Sequence, residues 1–234
     1  MFTTHATFTQ SVGRFMHKVY AWMFTGLGVT AVTSYFMLSY PALLMYLLSS
    51  KIIFYTLIGA QLGLVMYLSA FINSMSYRAA TFAFLAYSLL VGITLSPIFL
   101  VYTMSSITLT CASTACMFGA MAIYGYYTDS DLTRLGNLLF MGLLGIIIAG
   151  FANWFFASSV LDFAISVLGV LLFTALTAYD VQKIKLLAYQ IMYSDEDNHV
   201  EMSDKIALFG ALQLYLDFIN LFLHLLRLMG NKRK

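Results

Sequence analysis

Residues 206–229 read IALFGALQLYLDFINLFLHLLRLM, an apolar stretch interrupted by only a few polar side chains. A helix of about 20 apolar residues is long enough to cross a lipid bilayer. The stretch therefore predicts a transmembrane helix, and Asp217 stands near its middle. A carboxyl group at that depth is costly and is by default a candidate functional residue.

Six other apolar stretches precede this one, and each is close to the length of a bilayer crossing. They comprise residues 19–39, 52–72, 79–102, 106–127, 137–158 and 160–180. In the whole chain of 234 residues only 9% are charged, whereas a soluble domain has about 25%. We therefore predict an all-α integral membrane protein of about seven transmembrane helices. Its parts are a polar N-terminal segment 1–18, a transmembrane domain 19–230 and a basic tail 231–234.

The net charge indicates which kinds of partner to expect. The net charge is only +2, and no basic patch alternates with aromatic residues, so we expect a lipid environment and no nucleic acid.

Cys111 and Cys116 lie in one apolar run. In a helix, residues five apart have Cα atoms roughly 8 Å from each other, which is beyond disulfide reach. Both are predicted to be free packing residues.

Basic residues in short connections predict the orientation, because they stay on the cytoplasmic side. A cytoplasmic N-terminus places on that side Arg14, Lys18, Arg78, Arg134, Lys183, Lys185 and Lys205, and before the last span only Lys51 opposes it. Seven full crossings would put Arg227 and the basic tail outside. The alternative is a re-entrant late segment that returns the tail to the inside.

The connections carry two further predictions. Pro97 should kink the third span, since proline donates no backbone hydrogen bond. The long hydrophilic segment 181–205 is predicted to be a solvated connector. It is not an EF-hand loop, because counting from Asp195 puts Val200 and Ile206 where glycine and an acid are required.

Small residues in the apolar stretches indicate where helices could approach closely. Those predicted to do so are Gly26, Gly28, Ala115, Gly119, Gly142, Gly145 and Gly150.

The last span also carries a polar stripe. Successive members are spaced four, three, four and three residues apart, which puts them on one helix face; they are Gln213, Asp217, Asn220, His224 and Arg227. Such a face must contact protein or water rather than acyl chains. It is either a satisfied interhelical hydrogen-bond network or the wall of an ion-accessible pathway. His224 would correspondingly be hydrogen-bonded in the bundle, or tune a pH response.

Asp180, at the end of the sixth span, is the acid nearest a membrane core on another helix. Arg227 is too far along the chain to be an obvious counter-ion for Asp217. Two carboxylates held close together cannot both ionise cheaply, so such a pair shares a proton and titrates as one coupled unit. Once deprotonated it would offer hard oxygen ligands suited to Ca²⁺, and protons and calcium would compete for it.

Three motifs stand out: LYLDFINLF at 214–222, followed by Leu-Leu-Arg at 225–227; GITLSPI at 92–98; and TAYDVQKI at 177–184. They resemble motifs of the Bax inhibitor family of membrane proteins, and the first is the most specific. The likeness extends over about residues 19–230. The short loops are similar to those of bacterial members, which implies a location in the inner membrane.

The resemblance implies a bundle of seven helices with the last one central, and a pH-sensitive calcium leak. It also implies that Asp180 and Asp217 form the sensor pair, a pairing that spacing alone does not give. No cofactor is implied, and calcium enters as the transported ion and as a candidate ligand of these two acids. Some members carry an acid where this chain has Gln61, and no Asp or Glu occurs before Asp129. Gln61 can therefore contribute only uncharged coordination or a hydrogen bond.

Two other functions compete with a leak channel. The family's link to stress and cell-death control suggests a regulatory protein that binds other membrane proteins and conducts nothing. An enzyme is less favoured, since no Gly-x-Ser-x-Gly motif occurs and His224 has no evident serine partner. A paired-aspartate protease is the enzyme class that the two acids would fit best.

Overall fold

The computed structural model describes residues 2–72, 74–193 and 199–233. Within them the α-helices are α1 Phe2–Leu38, α2 Pro41–Ser49, α3 Lys51–Phe71, α4 Tyr77–Leu95, α5 Ile98–Val101, α6 Met104–Tyr127, α7 Gly136–Phe156, α8 Ser159–Tyr193 and α9 His199–Met229. A 3₁₀-helix, Leu132–Leu135, precedes α7. These ranges contain no strand, only an isolated antiparallel bridge between Tyr102 and Lys232. The all-α prediction is confirmed.

Seven helical segments of the described chain are long and apolar enough to cross a membrane. They are Gln10–Leu38, Lys51–Phe71, Tyr77–Val101, Met104–Tyr127, Leu132–Phe156, Ser159–Ile191 and Glu201–Met229. The last is the most buried, with 56% of its most apolar window inside the protein against at most 33% in the others. This confirms the predicted number of spans, and the high burial of the final helix agrees with the central position predicted for it.

The predicted connector at 181–205 is wrong. Helix α8 continues to Tyr193 and α9 begins at His199; Asp195, Glu196 and Asp197 lie outside the described residues. With 35 residues, α8 is roughly 50 Å long, well beyond the roughly 30 Å of a bilayer core. Hydropathy detects the part of a helix that lies in lipid, so the polar extension reads as a loop. For the same reason α1 already begins at Phe2, within the polar segment 1–18.

The third span is interrupted at Pro97 as predicted, but by a break between two helices rather than by a kink in one. Helix α4 ends at Leu95, and the short α5 begins at Ile98. The N–H of Ser96 still donates to the carbonyl oxygen of Gly92, at 3.1 Å, and so completes the last turn of α4.

The chain forms two compact units, and α8 and α9 contribute residues to both. The first unit comprises Met1–Val101 and Leu187–Tyr215. In it, α1 packs closely on α4. A Cβ atom on Gly26 would lie 2.6 Å from the Phe84 ring, and one on Gly92 would lie 2.8 Å from the carbonyl oxygen of Thr30. The predicted close approach is therefore present at Gly26.

The second unit comprises Tyr102–Leu186 and Leu216–Lys234. Its close approaches are at Gly125, Gly136 and Gly169, which the sequence did not single out. Gly142 meets only the side chain of Leu172. The predictions for Gly28, Gly119, Gly145 and Gly150 are wrong, because a Cβ atom there would meet nothing within 4 Å. Ala115 is likewise exposed.

The C-terminal tail lies beside the start of α6. The N–H of Thr103 donates to the carbonyl oxygen of Asn231 at 3.1 Å, and the N–H of Asn231 donates to Oγ of Ser106 at 3.0 Å. Both α7 and α8 are long enough for full crossings. Seven full crossings therefore fit better than a re-entrant late segment.

Candidate functional site

Two acids from neighbouring helices meet inside the second unit. Asp180 on α8 is 8% exposed and Asp217 on α9 is 4% exposed. Their two carboxyl groups act directly on each other, while Oδ2 of Asp217 has no hydrogen-bond partner among the described residues. Because an ionised carboxylate only accepts hydrogen bonds, a hydrogen bond between the two acids requires a proton on one of them.

The charges around the pair are unequal. Asp217 is acted on by the charge of Asp180, whereas Asp180 also feels Lys183, one turn further along α8. Lys183 is exposed, and its Nζ lies 5.9 Å from the centre of the Tyr179 ring. The positive charge nearest the pair therefore lies on the C-terminal side of Asp180 in α8. Asp217 is the more deeply buried of the two acids.

Two glycines fix the segment of α8 that carries Asp180. A Cβ atom on Gly125 of α6 would overlap the carbonyl oxygen of Ala178, and one on Gly136 of α7 would come within 2.7 Å of the Tyr179 hydroxyl. Both helices thus rest directly on the residues just before Asp180. A glycine at each point leaves the space that this contact needs.

The residues that follow Asp180 hold the connection between α6 and α7. Gln182 donates from Nε2 to the carbonyl oxygen of Ser130 and accepts from the N–H of Leu132, both at 2.9 Å. Lys185 donates from Nζ to the carbonyl oxygen of Tyr126 at 2.6 Å. The motif around Asp180 is therefore anchored on both sides of the acid.

Asp131 begins the 3₁₀-helix in this connection, outside the membrane spans. Its Oδ1 accepts from the N–H of Thr133 at 3.0 Å. Hydrogen bonds from Thr133, more than the charge of Arg134, hold the pKa of the Asp131 carboxyl below its usual value. Asp131 therefore stays ionised at neutral pH and caps the short helix.

The remaining members of the stripe on α9 differ in their environment. Asn220 donates from Nδ2 to the carbonyl oxygen of Leu216 in its own helix, at 2.9 Å. Oε1 of Gln213 and Nδ1 of His224 are buried and have no partner among the described residues. Arg227 is half-exposed and pairs with Asp162 at 3.7 Å. The polar side chains of this stripe therefore do not form a fully satisfied hydrogen-bond network with one another and the other described residues.

His224 rests on a glycine of α8. A Cβ atom on Gly169 would lie 2.5 Å from three atoms of the imidazole ring, and the Phe173 ring stacks on it at a centroid distance of 5.6 Å. No sequence pattern predicts this contact, because a glycine in an apolar run does not reveal its neighbour.

The pair alone supplies few ligands for a metal ion. Among the described residues, no three His, Cys, Asp or Glu side chains are grouped to hold a metal ion. Calcium takes roughly six to eight oxygen ligands, more than two carboxylates supply. A calcium ion at this point would have to keep water or other oxygens in its shell, as an ion in transit does.

Gln61 is an uncharged partner in the first unit. Its Nε2 donates to Oγ1 of Thr94 at 2.7 Å and so links α3 to α4. Gln61 thus contributes a neutral hydrogen bond between these two helices.

Comparisons with known proteins agree over nearly the whole chain. The sequence model of the family described as "Inhibitor of apoptosis-promoting Bax1" matches residues 12–234. The inner membrane protein YbhL of Escherichia coli K12 is 46% identical over 219 residues, which cover 94% of this chain and 92% of that protein. An uncharacterized protein of Borreliella burgdorferi is also 46% identical, over 94% of this chain and 93% of the other. An uncharacterized membrane protein of Streptococcus pyogenes serotype M1 is 37% identical over 97% of both chains.

Proposed function

The chain belongs to the Bax inhibitor family of membrane proteins, and on that premise we propose that it is a passive, pH-gated conduit for Ca²⁺ whose proton sensor is Asp180 with Asp217. The observation that carries the proposal is the meeting of these two buried carboxyl groups from different helices. A carboxyl group is costly inside an apolar bundle, so two of them there favour a functional role.

One shared proton can act as the switch. With the proton in place, a hydrogen bond between the acids ties α8 to α9. Without it, two like charges face each other in a site poor in water, where their repulsion is strong. The helices then shift relative to each other at this level. The population ratio of a one-proton switch changes by about tenfold per pH unit.

The same oxygens suit a passing calcium ion. Deprotonated carboxylates are hard ligands of the kind Ca²⁺ prefers, and a conduit needs a site that binds an ion without retaining it. A site with only two carboxylates meets that requirement. Protons and calcium would compete for it, which links flux to pH.

We further propose that the N-terminus is cytoplasmic in a bacterial inner membrane. In the first unit Lys18 pairs with Asp204, and Nζ of Lys205 donates to the carbonyl oxygen of Met75 at 3.1 Å. The basic residues of α1 and α9 thus gather with the connection between α3 and α4 at one end of that unit. Such a gathering supports a cytoplasmic end, since basic residues are retained there.

The direct test is calcium flux in proteoliposomes that contain the purified protein. We expect the flux to depend on pH for the unmodified protein and to become nearly independent of pH in Asp217→Asn, which removes the shared proton and keeps the side chain's shape. Asp129→Asn is the control, because Asp129 is an exposed acid in the connection between α6 and α7, away from the pair. It should keep the pH dependence.

Two results would contradict the proposal. Full pH dependence in Asp217→Asn would exclude the pair as the sensor. Flux no higher than in empty liposomes at any pH would exclude a conduit, and would favour the non-conducting regulatory protein. Co-purification of membrane partners would then be the next measurement.

A further inference from the structure

Unpaired polar atoms are concentrated in the second unit. Four side-chain atoms there are buried without a hydrogen-bond partner among the described residues, namely Oγ1 of Thr110, Oγ1 of Thr174, Oδ2 of Asp217 and Nδ1 of His224. Buried polar atoms in folded proteins are nearly always paired with protein groups or with ordered water. Water between the helices would give these four atoms a partner.

The four atoms are distributed along α9 rather than gathered at one point. Helices α8 and α9 run antiparallel, since Asp180 meets Asp217, Gly169 meets His224, and Asp162 meets Arg227. Thr174 therefore lies at a level between Asp217 and His224.

Helix α6 is antiparallel to α9 as well. Ser106 bonds to Asn231, and the Phe118 ring lies 5.6 Å from that of Phe218. Thr110 thus falls near the level of His224 and Arg227. The distance along α9 from Asp217 to Arg227 is roughly 15 Å.

We propose that these atoms line a file of water molecules, which runs from the Asp180–Asp217 pair past His224 to the end of the unit marked by Arg227 and Asp162. The inference rests on the proposed function, because it gives the course of the same pathway beyond the sensor. It assigns Thr174 and His224 to the wall of that path, and it makes water and hydrated cations the species that enter.

His224 is the narrow point of this file. Its ring lies directly on the backbone at Gly169 and under the Phe173 ring, so nothing can pass on that side. The charged groups that act on the ring are Arg227 and Asp162, which lie towards the far end. The file therefore passes on the other side of this ring.

Cysteine accessibility tests the file without any measurement of flux. In a Cys111→Ser, Cys116→Ser background, single substitutions His224→Cys, Thr174→Cys and Leu226→Cys are made in the full chain. Leu226 is the control, because it is 1% exposed and lies on the opposite face of α9. The probe is 2-(trimethylammonium)ethyl methanethiosulfonate, applied to proteoliposomes at pH 6 and pH 8 with labelling followed by mass spectrometry.

The probe reacts with the thiolate, which forms where water reaches the sulfur. We expect T174C and H224C to be modified at least about tenfold faster than L226C at one or both pH values. Rates equal to that of L226C at both pH values would overturn the water file, and they would leave a calcium conduit by another route intact. Fast labelling without calcium flux would support the file while excluding the proposed function. Elution of each variant as a single species by size exclusion shows that it is folded.

Discussion

The carbonyl oxygen of Ala178 lies against Gly125, where a Cβ atom would overlap it. This contact joins α6 to α8 two residues before Asp180. Since the neighbour is backbone rather than a mobile side chain, it cannot turn away from an added atom. The position of Asp180 in the membrane thus depends on a glycine in a different helix.

We expect Gly125→Ala to lower the stability of the protein by about 1–3 kcal/mol, the usual cost of overpacking. The measurement is the thermal midpoint in detergent, followed by intrinsic fluorescence at one scan rate. Gly119→Ala is the control in the same helix, because a Cβ atom there meets nothing within 4 Å. An unchanged midpoint in G125A would show that α6 and α8 are not in backbone contact.

The two acids could be found from the sequence because a charge in an apolar run is conspicuous. Their contact could not, since spacing along one helix says nothing about the partner helix, and only the family motifs indicated the pairing. Gly125 and Gly169 show the same limit. Each is one small residue among many, and its role depends on what the other helix places opposite it.

The hydrogen bonds of Gln182 give a second prediction. Gln182→Ala removes both bonds to the backbone at Ser130 and Leu132, each worth about 0.5–1.5 kcal/mol. We expect the amide of Leu132 to exchange hydrogen faster, by roughly tenfold or more for a loss of about 1.4 kcal/mol. Hydrogen exchange with mass spectrometry would report it.

Gln190→Ala is the control for this experiment, as Gln190 is an exposed residue of the same helix. It should leave exchange in the connection between α6 and α7 unchanged. Equal exchange at Leu132 in Q182A and in the unmodified protein would mean that the connection is held by other contacts.

Tyr215, on α9 in the first unit, makes a buried contact through its hydroxyl group. Its hydroxyl oxygen lies 2.6 Å from Oγ1 of Thr30, which also bonds to the carbonyl oxygen of Ser88. Tyr215→Phe keeps the ring against Phe84 and Tyr87 and removes only the hydroxyl group. We expect a loss of about 1 kcal/mol, measured as a lower thermal midpoint.

Tyr35→Phe is the matched control, because Tyr35 lies in α1 and is 63% exposed. It should leave the midpoint unchanged. A double-mutant cycle with Thr30→Val isolates the pair. A coupling energy near zero would contradict a direct bond between the two hydroxyl groups.

The ion pair between Lys18 and Asp204 links α1 to α9 in the first unit. It is better shielded from solvent than the pair of Arg134 with Asp131, whose side chains are 89% and 60% exposed. Breaking a shielded pair costs more than breaking an exposed one, which is worth about 0–1 kcal/mol, because it leaves a poorly solvated charge without a partner. Lys18→Glu places two acids together, so we expect it to lower the thermal midpoint clearly. The exchanged pair, Lys18→Glu with Asp204→Lys, should restore most of the loss.

Arg134→Glu is the control, and it should have a smaller effect that vanishes at high salt. If the exchanged pair is no more stable than K18E alone, then Lys18 acts through its contact with the Tyr77 ring, 5.9 Å away, rather than through Asp204.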